Sequence, residues 1–170
     1  MKTETIILEK SKVSIKIVAF AFFLSIAILA PLLNQQIITG SIVNAVLFLS
    51  TAYLGLTSGI LLSFIPSLFA SSYGLLPAPF LLMIPYIILS NIMLVAIFWA
   101  LMKKNFWFGA VSASVIKFLF LFSASSYIIN FFIQKSLPAK IVVMMTWPQL
   151  TTALIGSVIA FTLLKIKNEI

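Results

Sequence analysis

Residues 106–132 read FWFGAVSASVIKFLFLFSASSYIINFF, apolar or small nearly throughout, with one charge, Lys117, close to the middle. A helix needs about 20 such residues to cross a bilayer. The segment is long enough to do so with Lys117 at mid-depth. There an ammonium costs roughly 2.5 kcal/mol or more, and it faces a cavity, a partner or a substrate path rather than lipid. The remaining lysines lie in the N-terminal tail or within a few residues of a span end. Lys117 is therefore the candidate functional residue, and reading its segment as a membrane span decides the fold.

The rest of the chain agrees. Of its 170 residues 62% are hydrophobic and 8% charged, and the mean hydropathy is +1.22. Soluble domains carry about 25% charged residues. The sequence predicts an all-α integral membrane protein of the cell membrane, with no room for a soluble domain. It has no Cys, His or Asp, and its acids are Glu4, Glu9 and Glu169, all near the chain ends. Hydrolysis, phosphoryl transfer and metal chemistry draw on carboxylates, imidazoles or thiols. The expectation is a protein that is not an enzyme and carries no metal or cofactor. A net charge of +8 made of lysine alone, flanking apolar runs, fits positive-inside anchoring better than nucleic-acid binding.

In order, residues 1–16 read as a polar cytoplasmic tail. Spans are expected at about 17–33, 41–56, 58–73, 80–102, 106–132 and 141–164, in one membrane domain covering 17–165, with 166–170 as a second tail. Asn34 to Gly40 reads as a loop, the run from Gly55 to Gly59 as a tight turn, and the third span, short and carrying Pro66 in mid-run, as a kinked or tilted helix. Trp99, Phe106 and Trp107 flank Lys103 and Lys104 like an interfacial aromatic belt. A six-helix bundle puts the N-terminal tail, the Lys103/Lys104 loop and the C-terminal lysines on one side, with both termini cytoplasmic. Lys135 and Lys140 are its exceptions.

Within the spans the strongly polar side chains are Asn44, Asn91, Lys117 and Gln149. They could converge on one outward-opening cavity. Lys117 would supply a point charge for a carboxylate or phosphate, the amides donors and acceptors, and Tyr86 and Trp147 a stacking wall. The bland alternative gives each amide a helix-to-helix hydrogen bond worth about 0.6 kcal/mol. Trp147 serves equally well as an interfacial anchor.

The string from Ile38 to Asn44, then Gly55, Gly59, Pro66, Ala70, Gly74, Pro85, Asn91 and Lys117, and the run Pro148 to Gly156 resemble the substrate-binding (S) components of energy-coupling-factor (ECF) vitamin transporters, over about Val13 to Lys165. The resemblance implies a six-helix bundle that captures a vitamin or related micronutrient from outside. It further implies docking on a membrane coupling subunit driven by two ATPase subunits. In that picture Gln35, Gln36, Thr39 and Gly40 belong to a gating loop, and the stretch at Gln149 lines the pocket. The family pairs two alanines four apart on its first helix to meet the coupling subunit; here Ala21 and Ser25 hold that spacing, with one alanine. Two other readings of the residues stay open. One is a membrane scaffold in which Lys117 and the amides hold helices together; the other is a lipid-modifying enzyme using Lys117 as base or Schiff-base nucleophile.

Overall fold

The computed structural model describes residues 2–75, 81–132 and 144–167, with side chains for 13–75, 81–126 and 144–167. Among them the regular structure is entirely helical, with six α-helices. These are α1 (Lys2–Leu29), α2 (Gln36–Leu54), α3 (Leu56–Ser72), α4 (Ile84–Met102), α5 (Phe106–Phe132) and α6 (Trp147–Ile166), and a 3-10 turn, Ala30–Leu33, joins α1 to α2. Five are long and apolar enough to cross a membrane, α1 counted over Val13–Leu33, whereas α3 is shorter. The chain is a membrane-embedded helical protein.

Several boundaries differ from the sequence expectation, each for a local reason. Residues 2–16, expected as a tail, continue α1, since nothing between Lys2 and Ile17 breaks a helix. The loop expected from Asn34 to Gly40 shrinks to Asn34 and Gln35. Asn34 takes the left-handed conformation (φ 51°) after the 3-10 turn, a role asparagine tolerates. Gln36, Thr39 and Gly40 are thus part of α2. The turn expected over Gly55 to Gly59 is made at Gly55 alone (φ +97°), and Gly59 lies inside α3. Pro85 opens α4 and Pro148 opens α6, the first-turn position where a missing N–H costs nothing. Hence α4 starts at Ile84 and α6 at Trp147, later than expected; residues 76–80 and 141–143 fall outside the described residues. Pro66 stays within α3 and is buried.

Contacts fix how the helices run. The Thr39 hydroxyl donates to the Ala30 carbonyl at 3.0 Å, so the end of α1 meets the start of α2. Gln36 Nε2 reaches the Met144 carbonyl, just before α6, at 2.7 Å. At the opposite end Lys167 lies 3.6 Å from the centre of the Tyr53 ring, and Trp99 flanks Gly55. Lys103, Lys104, Lys165 and Lys167 therefore share one end of the bundle, here the basic end. Gln35, Gln36 and Gln149 share the other, the amide end.

Helix α2 is the central element: it packs most extensively on α6 and also touches α1, α3 and α4, while α5 lies against α4 and α6. The approach of α6 to α2 depends on Gly156. A Cβ there would lie 2.8 Å from the Ala45 nitrogen and 2.9 Å from the Ser41 carbonyl oxygen. Membrane helices gain little from burying apolar surface, because lipid is equally apolar, and rely on such close packing instead. At the basic end the core is aromatic: Phe98 meets Phe48 edge-on at 4.8 Å and Phe106 at 5.3 Å, and Phe106 meets Phe161 at 5.3 Å. Gly156→Val is expected to destabilise the bundle by roughly 1–3 kcal/mol through overpacking. Denaturant titration in detergent micelles would show a lowered midpoint, and an unchanged midpoint would mean that α2 and α6 can separate freely.

Candidate functional site

Rise per residue explains why three distant side chains meet. At 1.5 Å per residue, Lys117 on α5 and Asn91 on α4 each stand about 16 Å from the basic end of their helices, and Asn44 on α2 about 15 Å. That is half of a hydrocarbon core of about 30 Å. The three residues lie at one level in the middle of the bundle.

Lys117 is 3% exposed. Its Nζ donates to Asn44 Oδ1 at 2.6 Å and to Asn91 Oδ1 at 2.7 Å. An ammonium has three donors and no acceptor, so both amides must turn their oxygens toward it and their NH₂ groups away. Asn91 Nδ2 then donates to the Ser63 carbonyl on α3 at 3.4 Å, and Asn44 Nδ2 to Thr152 Oγ1 on α6 at 3.3 Å. The Thr152 hydroxyl passes its own hydrogen to the Gln149 carbonyl at 3.1 Å. One chain of hydrogen bonds thus joins α2, α3, α4, α5 and α6.

No carboxylate side chain occurs between Glu9 and Glu169, so the lysine has no counter-ion from the helices around it. Amide oxygens compensate it partially, as dipoles. The site is enclosed along the bundle axis. Toward the basic end lie Phe48, one turn beyond Asn44, and Phe98, two turns beyond Asn91, both fully buried. Toward the amide end lies a smaller cluster of Met83, Leu121 and Met145. Methionine packs adaptably, so this cover deforms more easily than the interlocked rings opposite.

Asn44, Asn91 and Lys117 come together through direct hydrogen bonds. Gln149 does not reach the lysine; its Nε2 donates to the Met144 carbonyl at 3.1 Å, the same oxygen that receives Gln36. Trp147 is 68% exposed and stacks on Phe118 with centroids 5.3 Å apart, and Tyr86 is 37% exposed. Both aromatic side chains are thus substantially open to the surroundings, unlike the buried cluster. Of the residues assigned to a gating loop, Gln35 is exposed, while Gln36, Thr39 and Gly40 are half-buried in α2, with Gly40 against Thr152. Ala21 and Ser25 lie on the exposed face of α1, where the Ser25 hydroxyl donates to the Ala21 carbonyl at 2.9 Å.

Two residues at the cluster were not singled out from sequence. Thr152 is one of two adjacent threonines, and only the facing of α6 tells which points inward. Ser41 is 5% exposed, and among the described residues its hydroxyl has no hydrogen-bond partner, a state that costs about 1–3 kcal/mol for a buried polar group. Its spacing from Asn44, three residues along α2, was the available signal.

Comparison with protein-family models, with curated proteins and with solved structures finds no match to this chain.

The shared lysine makes the two asparagines interdependent. Asn44→Leu and Asn91→Leu should each destabilise the protein by about 1–3 kcal/mol, because each leaves a buried N–H of Lys117 without an acceptor. The double variant should lose measurably more or less than the sum. Additive losses in a detergent denaturation cycle would show that the two amides act independently.

Proposed function

We propose that this chain is a substrate-capture subunit of an ECF-type importer, binding a vitamin or related small micronutrient at the Lys117 cluster. The observation that carries this reading is Lys117 itself: an ammonium at the middle of the bundle, buried, held by two amide oxygens and without a carboxylate. Intramembrane ionisable groups of this kind mark substrate paths. The unequal covers add a direction. Interlocked aromatic rings close the basic end, while a few methionine and leucine side chains close the amide end, where the captured molecule enters.

In this reading all six helices span the cell membrane, both termini are cytoplasmic, and the basic end faces the cytoplasm in keeping with the positive-inside rule. The chain contains no phosphate-cradling Gly-Lys-Ser/Thr loop, so a coupling subunit and two ATPase subunits supply the energy. The exposed face of α1 around Ala21 and Ser25 offers small side chains for that coupling subunit.

One observation favours a second reading, the scaffold. Every described amide arm of the cluster ends on another helix, an arrangement that would hold a bundle together with no ligand at all. The two readings part on a ligand test. A capture subunit in detergent should gain thermal stability and change its tryptophan fluorescence with one member of a vitamin panel, the gain approaching about 2.7 kcal/mol at one hundred times Kd, and Lys117→Met should abolish the response. A scaffold shows no response to any member, and its Lys117→Met variant loses partner proteins instead.

The absence of cysteine makes the sidedness directly measurable. A single cysteine at Lys104 should react with an impermeant maleimide only from the cytoplasmic side, and one at Gly74 only from outside. Labelling of both from the same side would contradict the six-span arrangement.

A further inference from the structure

Deepening the capture reading, on which it rests, we propose that the Ser41 hydroxyl and the third N–H of Lys117 form one recognition site for the oxyanion, carboxylate or phosphate, of the captured solute. Two independent observations lead there. First, the cluster has an uncompensated donor: of the three ammonium hydrogens, two are placed on Asn44 and Asn91, and among the described residues the third has no partner. Second, Ser41 carries the one fully enclosed hydroxyl left with no hydrogen bond among those residues; Ser67, also without one, is less deeply buried.

The second point is telling because a serine in a helix has a ready acceptor in the carbonyl three or four residues back. Ser50, Ser63, Ser90, Ser114 and Ser157 all use it. Ser41 does not, although it too lies within α2. It sits one turn from Asn44, about 4.5 Å along the axis, on the side of the amide end from which a solute would arrive.

The lysine charge and the committed amide NH₂ groups favour an anion over a cation. The NH₂ groups of Asn44 and Asn91 are committed to Thr152 and Ser63, and their oxygens already receive Lys117. A cationic ligand therefore meets a like charge there. An oxyanion finds two donors and the counter-charge that no residue between Glu9 and Glu169 supplies. A lipid headgroup phosphate shares this chemistry, so the test must separate the two sources.

The experiment compares the parent protein with Ser41→Ala, each purified as the full chain and reconstituted in phosphatidylcholine nanodiscs. Aqueous and lipid extracts are analysed separately by mass spectrometry, and yields are expressed per mole of protein. Alanine keeps the packing and removes a hydroxyl that bonds to nothing, so the thermal midpoint of the emptied protein should not fall. The expected result is one water-soluble compound carrying a carboxylate or phosphate from the parent, with occupancy at least roughly 10-fold lower in Ser41→Ala, the effect of one lost hydrogen bond to a charged group. Lys117→Met should lose it altogether. A neutral or cationic compound, or an anion retained in full by Ser41→Ala, would overturn the oxyanion site while leaving capture intact. Recovery of an anionic lipid alone would assign the donors to a headgroup and overturn the solute assignment. Empty extracts from the parent would overturn the capture reading together with this inference.

Discussion

The arrangement depends on one interaction: the Lys117 ammonium resting on the amide oxygens of Asn44 and Asn91. A charge at that depth needs acceptors for its donors, and the amide oxygens of two different helices meet two of the three. Because an ammonium offers only donors, it dictates the orientation of both amides. That orientation in turn sends their NH₂ groups to α3 and α6. A single side chain thereby sets the relative level of five helices, which apolar contacts alone would fix weakly, since lipid competes with them on equal terms.

Close packing supplies what the cluster does not. Gly156 lets α6 approach the backbone of α2, and Gly59 does the same for α3, where an added Cβ would come within 2.8 Å of Val95 on α4. The ring cluster of Phe48, Phe98, Phe106 and Phe161 locks the basic end, and cation–π contacts of Lys103 with Trp99 and of Lys167 with Tyr53 hold its rim. The amide end is built differently, from short hydrogen bonds of Gln36, Thr39 and Gln149 to backbone carbonyls. Rigid packing at one end and side-chain-to-carbonyl bonds at the other make an asymmetric bundle.

The cluster is a stability element and, in the proposed reading, a recognition element as well. Its amides are consumed in holding helices, and its charge and two of its donors are not. A purely structural network would gain nothing from leaving a serine hydroxyl and an ammonium hydrogen unmet in its interior, whereas a recognition site for an anion must keep them unmet until the anion arrives. The hydrogen-bond chain from Lys117 through Asn44 and Thr152 to the Gln149 backbone also connects that site to the end where Gln149 and Gln36 share the Met144 carbonyl.

Much of this was legible in the chain itself. Apolar runs of spanning length identify the membrane helices, and the absence of acids from residue 10 to residue 168 isolates Lys117, because solvation free energy in lipid depends on composition and length alone. Asn91 could be levelled with Lys117 because both fall near mid-span, whereas Asn44 reads as lying near the outer entrance of its span and reaches their level only because α2 begins earlier, at Gln36. Local rules were less dependable at the boundaries: Asn34 and Gly55 alone make turns for which several residues had been allotted, since one left-handed residue suffices to reverse the chain. What only the tertiary structure decided is azimuth. Whether Thr152 or its neighbour Thr151 faces α2, whether Gln149 reaches the lysine or a carbonyl, and whether the Ser41 hydroxyl finds a partner all depend on how each helix is rotated about its axis. In a membrane, where both lipid and core are apolar, sequence periodicity carries almost no record of that rotation.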